Sequence, residues 1–239
     1  MIRNRTFLLG PISRDVKNAI YQSKGVTGTL SSLIRSASAL ACETDCWKCK
    51  FRHNCQLFCP GCSTIQCADC TSQKLSYFKL LDSNETYRIN EKKLKSFYID
   101  LQAMLHPDKF VNTSDTEQEY STSQSALVNE AYKTLADPVQ RGLHLLQING
   151  YDIEDSTIHN DMAMLNDVFE LNFQVDETED KQHLDDLLHR VKERIHEIIT
   201  DVEKNFQEER YTDARDGLLT VKYLYNVKNK IDDKALNLE

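Results

Sequence analysis

The stretch LKSFYIDLQAMLHPDKF, residues 94–110, decides how this chain folds. Its apolar side chains recur three and four residues apart, which is the spacing of one face of an α-helix. These positions are Leu94, Phe97, Tyr98, Leu101, Met104 and Leu105. Because Pro107 disfavours helical backbone at His106, a helix is predicted to begin at its cap Asn90 and to end at Leu105. The triplet His-Pro-Asp then falls in a loop.

Helical spacing resumes after this loop. A second stripe is formed by Leu127, Val128, Ala131, Tyr132 and Leu135. Asp137 followed by Pro138 has the pattern of a helix cap and first residue, and Gly150 is predicted to close this third helix. Because the two helices flanking the loop can pack against each other, residues 74–150 are predicted to form one helical domain.

Three further amphipathic stretches are predicted in residues 151–239, over 161–175, over about 180–208, and from Tyr211 to Val227. Three such helices joined by short loops predict an antiparallel bundle, so the fold class is mainly α. Residues 151–239 carry a net charge of −12 and the whole chain −8. This acidic balance excludes nucleic acid as a partner. No apolar run reaches the roughly 20 residues of a membrane-spanning helix, so no membrane partner is expected.

The first 41 residues differ in composition from the rest of the chain. They contain six basic residues and one acidic residue and are rich in serine. Apolar residues such as Phe7, Leu8 and Ile12 could line one face of a helix. These features predict a mitochondrial transit peptide over residues 1–41 and a location in the matrix. A disordered basic tail is the alternative, and a cytosolic pool stays open.

All eight cysteines lie between residues 42 and 70, in a predicted module of residues 42–73. Three Cys-x-x-Cys pairs stand out, and two pairs brought together supply the four thiolates of a structural zinc site. Pairing the first two encloses nine residues and is favoured, which predicts one zinc ion on Cys46, Cys49, Cys59 and Cys62. Pairing Cys59/Cys62 with Cys67/Cys70 encloses only four.

Other chemistry stays open for these thiols. A disulfide cluster would require an oxidising compartment, and an iron–sulfur cluster uses the same ligand type. The residues alone assign no role to Cys42, Cys55, Cys67 or Cys70. Because four cysteine ligands leave no open position for a substrate, the zinc site is predicted to be structural.

The residues alone leave three interpretations of His106, Pro107 and Asp108. They could be an acid–base pair, but no nucleophile motif lies near them in the sequence. His106 could cap the preceding helix, where positive charge is favourable. The triplet could also contact a partner protein.

A resemblance favours the third interpretation. Together with the helix that ends at Leu105, three segments resemble a J-domain: YFKLL (77–81), HPDKF (106–110) and NEAYKTLADPVQRG (129–142). The resemblance implies that the protein stimulates ATP hydrolysis by a DnaK-type chaperone. It assigns that contact to His106, Pro107 and Asp108, and it implies that Lys92, Lys93 and Lys95 dock on an acidic chaperone surface.

The segments QRGLHLLQING (140–150) and MLNDVFELN (164–172) extend the likeness over about residues 75–232. The chain resembles the HscB/Jac-type co-chaperones of iron–sulfur cluster assembly, and its cysteine module and basic N-terminus resemble the animal form. This implies a non-enzymatic mitochondrial protein that delivers an IscU-type scaffold to its chaperone, with zinc on the first two cysteine pairs.

The resemblance also implies a scaffold contact on the first bundle helix and the last. The corresponding residues are Leu165, Asn166, Phe169, Glu170, Phe173 and Tyr223. Asn166 and Phe173 depart from the family pattern, which has an apolar residue and a polar or acidic one there. The Cys67/Cys70 pair is a further departure. Because Leu165, Phe169 and Tyr223 also fit bundle periodicity, a plain core role is the alternative for them.

Two rival functions stay open at this point. A general J-protein would bind unfolded clients and would need no dedicated scaffold. A cysteine-based metal or redox protein would show turnover or an iron–sulfur chromophore. The sequence also leaves a homodimer open.

Overall fold

The computed structural model describes residues 43–54, 56–72, 75–151 and 162–238. The predicted transit segment 1–41, Cys42 and Cys55 lie outside the described residues, as do the side chains of Cys70 and Leu165. The chain forms two compact units. The first contains the described residues up to 72 together with 105–125, and the second contains 75–104 and the described residues after 125. Most described residues are helical, so the predicted fold class is confirmed.

The first unit begins with an antiparallel hairpin of β1 (Glu43–Asp45) and β2 (Arg52–Asn54), in which Thr44 pairs with His53. The short helix α1 (Ala68–Ser72) follows. The unit also holds a 3₁₀ turn, Pro107–Lys109, and the first half of the helix α4 (Asp115–Ala136). Its interior contains the side chains of Leu57, Phe58, Ile65 and Leu105.

The second unit contains α2 (Tyr77–Leu80), α3 (Glu91–Leu105) up to Met104, the rest of α4, and α5 (Pro138–Ile148). The predicted caps are confirmed. Asn90 Oδ1 accepts a hydrogen bond from the Lys93 N–H at 3.0 Å, and Asp137 Oδ1 accepts one from the Gln140 N–H at 2.8 Å. Gly150 follows α5 with a φ of +78°, a conformation that favours glycine.

Helices α3 and α4 pack against each other through aromatic and polar contacts. Tyr98 stacks on Tyr132 with ring centroids 4.1 Å apart, and its hydroxyl donates to Asn129 Oδ1 at 2.7 Å. Leu94 and Leu101 on α3 and Val128 and Leu135 on α4 are buried. The two stripes predicted from the sequence therefore meet in one interior.

The three predicted bundle helices are confirmed as α6 (Met162–Glu177), α7 (Lys181–Gln207) and α8 (Tyr211–Asn237). Their shared core is aliphatic: Val175, Leu184, Leu187, Val191, Ile195, Val221, Leu224, Val227 and Ile231. Val139 of α5 belongs to the same core. None of the helices in the described residues is long and apolar enough to cross a membrane.

A close contact between α5 and α8 was not predicted. A Cβ on Gly142 would lie 2.6 Å from a methyl carbon of Leu218, so any larger residue here would force the Leu218 side chain to shift. Nearby, Tyr87 stacks on Phe206 with centroids 5.1 Å apart, and the Arg141 guanidinium lies 5.2 Å from the Tyr87 ring centroid. Residues of both predicted helical domains, 74–150 and 151–239, thus pack within this unit.

Candidate functional site

Two loops with the same backbone carry four of the cysteines. In the first, the Cys46 N–H donates to Phe51 O at 2.9 Å and the Lys50 N–H donates to Cys46 O at 3.0 Å. The loop that begins at Cys59 repeats both bonds at 2.9 and 2.8 Å. The fifth residue of each loop, Lys50 or Ser63, has a φ of 59°, in the left-handed region. Each Cys-x-x-Cys pair therefore lies in a tight turn that directs both thiols to one side.

The two loops bring four sulfur atoms together. The Sγ atoms of Cys46 and Cys62 are 3.7 Å apart, those of Cys49 and Cys59 are 3.6 Å apart, and all four lie within 4.8 Å of one another. A tetrahedral ion with metal–sulfur distances of about 2.3 Å requires sulfurs about 3.8 Å apart. A disulfide requires about 2.05 Å, so the disulfide alternative is wrong for these four residues. The structure therefore brings together the four cysteines of the favoured pairing.

Hydrogen bonds and burial shift the pKa values of the clustered thiols in opposite directions. The Cys49 N–H points to Cys46 Sγ at 3.5 Å, and the Gly61 N–H points to Cys59 Sγ at 3.3 Å. Burial opposes ionisation of Cys62, but hydrogen bonds with Thr64, Cys49 and Cys46 lower the pKa of this thiol to about 6. Burial raises the pKa of Cys59 to about 12. A cation bound among the four sulfurs would favour the thiolate form of each, so the site fits a metal ion.

Gln66 contacts the four-cysteine cluster and was not singled out from the sequence. Its side-chain amide lies 3.5 Å from Cys46 Sγ and 3.3 Å from His53 Nε2. Gln66 and His53 are both about 95% buried. Because Cys46 and His53 lie 20 and 13 residues before Gln66 and meet it only in the fold, no spacing rule would have identified it.

The His-Pro-Asp triplet forms a short, exposed 3₁₀ turn. His106 caps this turn, because its Nδ1 accepts the Asp108 N–H at 3.3 Å. Its Nδ1 also lies 3.5 Å from Asp108 Oδ2, and the two side chains are 59% and 86% exposed. His106 thus bonds forward to Asp108, whereas the sequence suggested a cap of the preceding helix. A catalytic general base is normally held in a pocket beside a partner group, so two side chains this exposed argue against catalysis.

The three lysines assigned to the chaperone contact lie in the first turns of α3. Lys92, Lys93 and Lys95 are all exposed. Lys93 Nζ forms an ion pair with Asp82 at 3.4 Å. Exposed pairs of this kind contribute little stability, so the charge of Lys93 stays accessible to a partner.

The residues assigned to the scaffold contact separate into exposed and half-buried ones. Phe169 is 73% exposed and Phe173 is 53% exposed, one helical turn apart on α6. Asn166 and Glu170 on the same helix are exposed, whereas Tyr223 on α8 is half-buried. The core alternative is therefore wrong for Phe169. Exposed aromatic side chains of this size are typical of protein-binding surfaces.

A cavity of about 690 Å³ borders this surface. It is lined by residues of α6, α7 and α8, including Glu170, Leu171, Arg190, Arg194 and Leu224. The two arginines were not identified from the sequence, because they occupy polar positions of an amphipathic helix, where charged residues are common.

Comparisons with known proteins agree with these features. A family model described as the HSCB C-terminal oligomerisation domain matches residues 160–232. The human protein named iron–sulfur cluster co-chaperone protein HscB is 34% identical over 184 residues, 77% of each chain, and the mouse protein of that name is 29% identical over 82% of this chain and 85% of its own.

Solved structures share the fold. The crystal structure of human co-chaperone protein HscB matches with a TM-score of 0.75 and 32% identity, covering 81% of this chain and all of that one. The Jac1 co-chaperone from Saccharomyces cerevisiae matches with a TM-score of 0.56 and 22% identity, covering 66% of this chain and 95% of that one. At that identity the second likeness concerns the fold.

Proposed function

Because the chain belongs to the HscB family of iron–sulfur cluster co-chaperones, we propose that it delivers a scaffold protein to a chaperone and stimulates the chaperone's ATPase. The chaperone is of the DnaK type and the scaffold of the IscU type. The observation that carries the proposal is that this chain exposes both the His-Pro-Asp turn and the aromatic side chains of Phe169 and Phe173 on α6. The chain itself catalyses no reaction, and hydrolysis takes place at the partner's nucleotide site.

The turn is suited to contact a partner. Its backbone is fixed by two hydrogen bonds, from the Lys109 N–H to His106 O at 2.9 Å and from the Phe110 N–H to Pro107 O at 2.8 Å, while the side chains of His106 and Asp108 face solvent. A preformed surface loses little entropy on binding. To promote hydrolysis, it must bind the chaperone's hydrolysis-competent state more tightly than its other states. The exposed lysines of α3 supply complementary charge to an acidic chaperone surface.

The turn is tested with Asp108→Asn in a chaperone ATPase assay. We expect loss of stimulation with unchanged circular dichroism, because the side chain is exposed and contributes little to folding. Asp115→Asn, an exposed acid at the start of α4, is the matched control and should stimulate normally. Full stimulation by folded Asp108→Asn would contradict the proposal.

Phe169 and Phe173 are proposed as the anchors of the scaffold contact, and Leu165, Asn166, Glu170 and Tyr223 as its further members. Aromatic anchors at the centre of an interface typically cost about 2 kcal/mol or more when truncated. Phe169→Ala is therefore expected to weaken scaffold binding by at least about tenfold. Leu236→Ala, which truncates a similarly exposed apolar residue at the end of α8, is the control. Equal losses in both variants, or binding of denatured clients with no preference for the scaffold, would favour a general J-protein.

Zinc is proposed as the metal held by Cys46, Cys49, Cys59 and Cys62. The sulfur spacing fits one tetrahedral ion, whereas a multi-iron cluster spreads its thiolate ligands over several irons. When bound, zinc supplies a structural crosslink between the two loops. Metal analysis of the purified protein should give one zinc per chain. Visible absorbance from iron would contradict this assignment and would favour the redox alternative.

The proposed domain organisation is a transit segment (1–41), a cysteine module (42–73), a J-domain (74–150) and a scaffold-binding bundle (151–239). A mitochondrial matrix location is proposed because segment 1–41 is basic and rich in serine. The location is tested by fusing residues 1–41 to a fluorescent protein. Mitochondrial fluorescence is expected. Cytosolic fluorescence of this fusion would contradict the assignment.

A further inference from the structure

We infer that the cysteine module fixes the His-Pro-Asp turn in place through the first half of α4, which makes Trp47, Tyr120, Ser121 and Gln124 positioning residues for the chaperone contact. The inference rests on the proposed function. All of the contacts that carry it lie inside the first unit.

The first contact joins the metal loop to α4 through an aromatic pair. Trp47 lies between the proposed ligands Cys46 and Cys49. Its indole N–H donates to Ile65 O at 2.8 Å, which fixes the ring against the second cysteine loop. The ring then packs edge-on against Tyr120 of α4, with centroids 6.0 Å apart. Such aromatic pairs contribute beyond the area that they bury.

The second contact is a buried hydrogen-bond network. Gln66, whose side chain approaches Cys46 Sγ, accepts a hydrogen bond at its backbone oxygen from Gln124 Nε2 at 3.0 Å. Gln124 Nε2 also lies 3.1 Å from Thr71 Oγ1. The side chain of Gln124 is fully buried, so loss of these partners would leave a polar group unpaired. The position of α4 is therefore tied to the shape of the cysteine loops.

Helix α4 in turn holds the ends of the segment that contains the triplet. The Ser121 hydroxyl donates to Leu105 O at 2.6 Å, and both residues are fully buried. Leu105 directly precedes His106, and its carbonyl is one of the last four of a helix, which have no partner within the helix. On the other side of the turn, Gln118 Nε2 lies 3.4 Å from Val111 O.

These contacts form a continuous path from the metal ligands to the turn. Loss of the metal would free the two loops, remove the contacts of Tyr120 with Trp47 and of Gln124 with Gln66, and release the start of α4. Ser121 would then no longer hold Leu105 O in place. Metal removal should thus loosen the triplet, although none of its residues binds the metal.

Amide hydrogen exchange of the full chain, measured by NMR with and without the metal, tests this inference. We expect the amides of residues 105–125 to exchange about tenfold faster after chelation, as for the loss of one to two buried hydrogen bonds. Trp47 is the single tryptophan, so its fluorescence reports the state of the loop independently. Exchange that accelerates in residues 43–72 but stays unchanged in 105–125 would overturn the inference.

Variants that retain the metal separate positioning from metal loss. Tyr120→Ala and Gln124→Leu should accelerate exchange at Lys109 and Phe110 and lower chaperone stimulation, with one metal still bound per chain. Glu119→Ala, which truncates an exposed neighbour on the same helix, should change neither. Unchanged exchange in both metal-retaining variants would overturn the inference, whatever the chaperone assay gives.

The two proposals fail in different ways. If exchange responds as expected but neither the wild type nor any variant stimulates a chaperone, the path to the turn stands and the proposed function is wrong. If the wild type stimulates a chaperone and chelation changes neither the stimulation nor the exchange of residues 105–125, the proposed function stands and the inference is wrong.

Discussion

The first unit buries six polar side chains, whereas the second buries mainly leucine, valine, isoleucine and alanine, with Arg141 as its buried charge among the described residues. The six are His53, Thr64, Gln66, Thr71, Ser121 and Gln124. Buried polar side chains stabilise a fold only when their hydrogen-bond partners are in place, whereas buried aliphatic side chains stabilise it through the apolar area that they remove from water. We therefore expect the first unit to depend on specific bonds and on its metal, and the second to tolerate conservative change.

The largest expected effect comes from breaking the metal centre with Cys59→Ser. Metal binding commonly supplies most of the folding energy of small four-cysteine modules. We expect the metal to be lost and the Trp47 fluorescence to match that of the unfolded protein. Most of the far-ultraviolet circular dichroism of the helices should remain, because the second unit has its own core.

Cys67→Ser is the control for this variant, because Cys67 lies in the same module but outside the sulfur cluster. It should retain the metal and the fluorescence. A Cys59→Ser protein that binds metal as tightly as the wild type would remove the basis of the comparison between the units.

A smaller effect is expected from Gly142→Ala in the second unit. The new Cβ would lie 2.6 and 2.7 Å from the two methyl carbons of Leu218, so side chains must shift. Overpacking of this kind typically costs about 1–3 kcal/mol of unfolding free energy, which urea unfolding would measure. Because the clash has one main partner, the added cost should largely disappear in a Leu218→Ala background. An equal cost in both backgrounds would contradict the packing described.

The smallest effect concerns the protonation of His144. Its Nε2 accepts the Tyr77 N–H at 3.2 Å, and burial lowers its pKa below the ordinary 6.5. The folded state therefore favours the neutral ring. The contribution of neutral His144 to the free energy of unfolding is fully present above about pH 6.5 and is lost as the pH falls through that value toward the lowered pKa.

Urea unfolding at about pH 7.5 and about pH 5.5 measures this contribution. The free energy of unfolding should fall more on acidification in the wild type than in His144→Gln, which keeps an acceptor but cannot gain a charge. Equal falls in both proteins would contradict the assigned role of His144.

The same contrast explains what could be predicted from the sequence. Apolar spacing predicts the helices of the second unit, because residues such as Leu94 and Leu187 recur with the period of 3.6 of one helix face. The residue types of Asn90, Asp137 and Gly150 predict where those helices begin and end. The spacing of Cys46, Cys49, Cys59 and Cys62 likewise predicts the ligand set, because each pair lies in one turn.

Contacts between residues distant in sequence could not be predicted in this way. The bond from Gln124 to Gln66 spans 58 residues, and the bond from Ser121 to Leu105 joins a helix interior to a helix end. The identity of a glutamine in the sequence does not indicate whether its side chain is buried or exposed. The close approach of Gly142 to Leu218 was missed for the same reason, since a glycine within a helix indicates neither its partner nor its distance.

The central claim, that one chain couples a chaperone contact to a scaffold contact, is tested most directly by single-turnover ATP hydrolysis. A mitochondrial DnaK-type chaperone would be assayed with this protein, with and without an IscU-type scaffold, and again with Asp108→Asn and with Phe169→Ala. We expect protein and scaffold together to stimulate hydrolysis more than the sum of their separate effects. Asp108→Asn should lose all stimulation, and Phe169→Ala should lose the scaffold-dependent part. Stimulation that is indifferent to the scaffold, or that survives Asp108→Asn, would contradict this coupling.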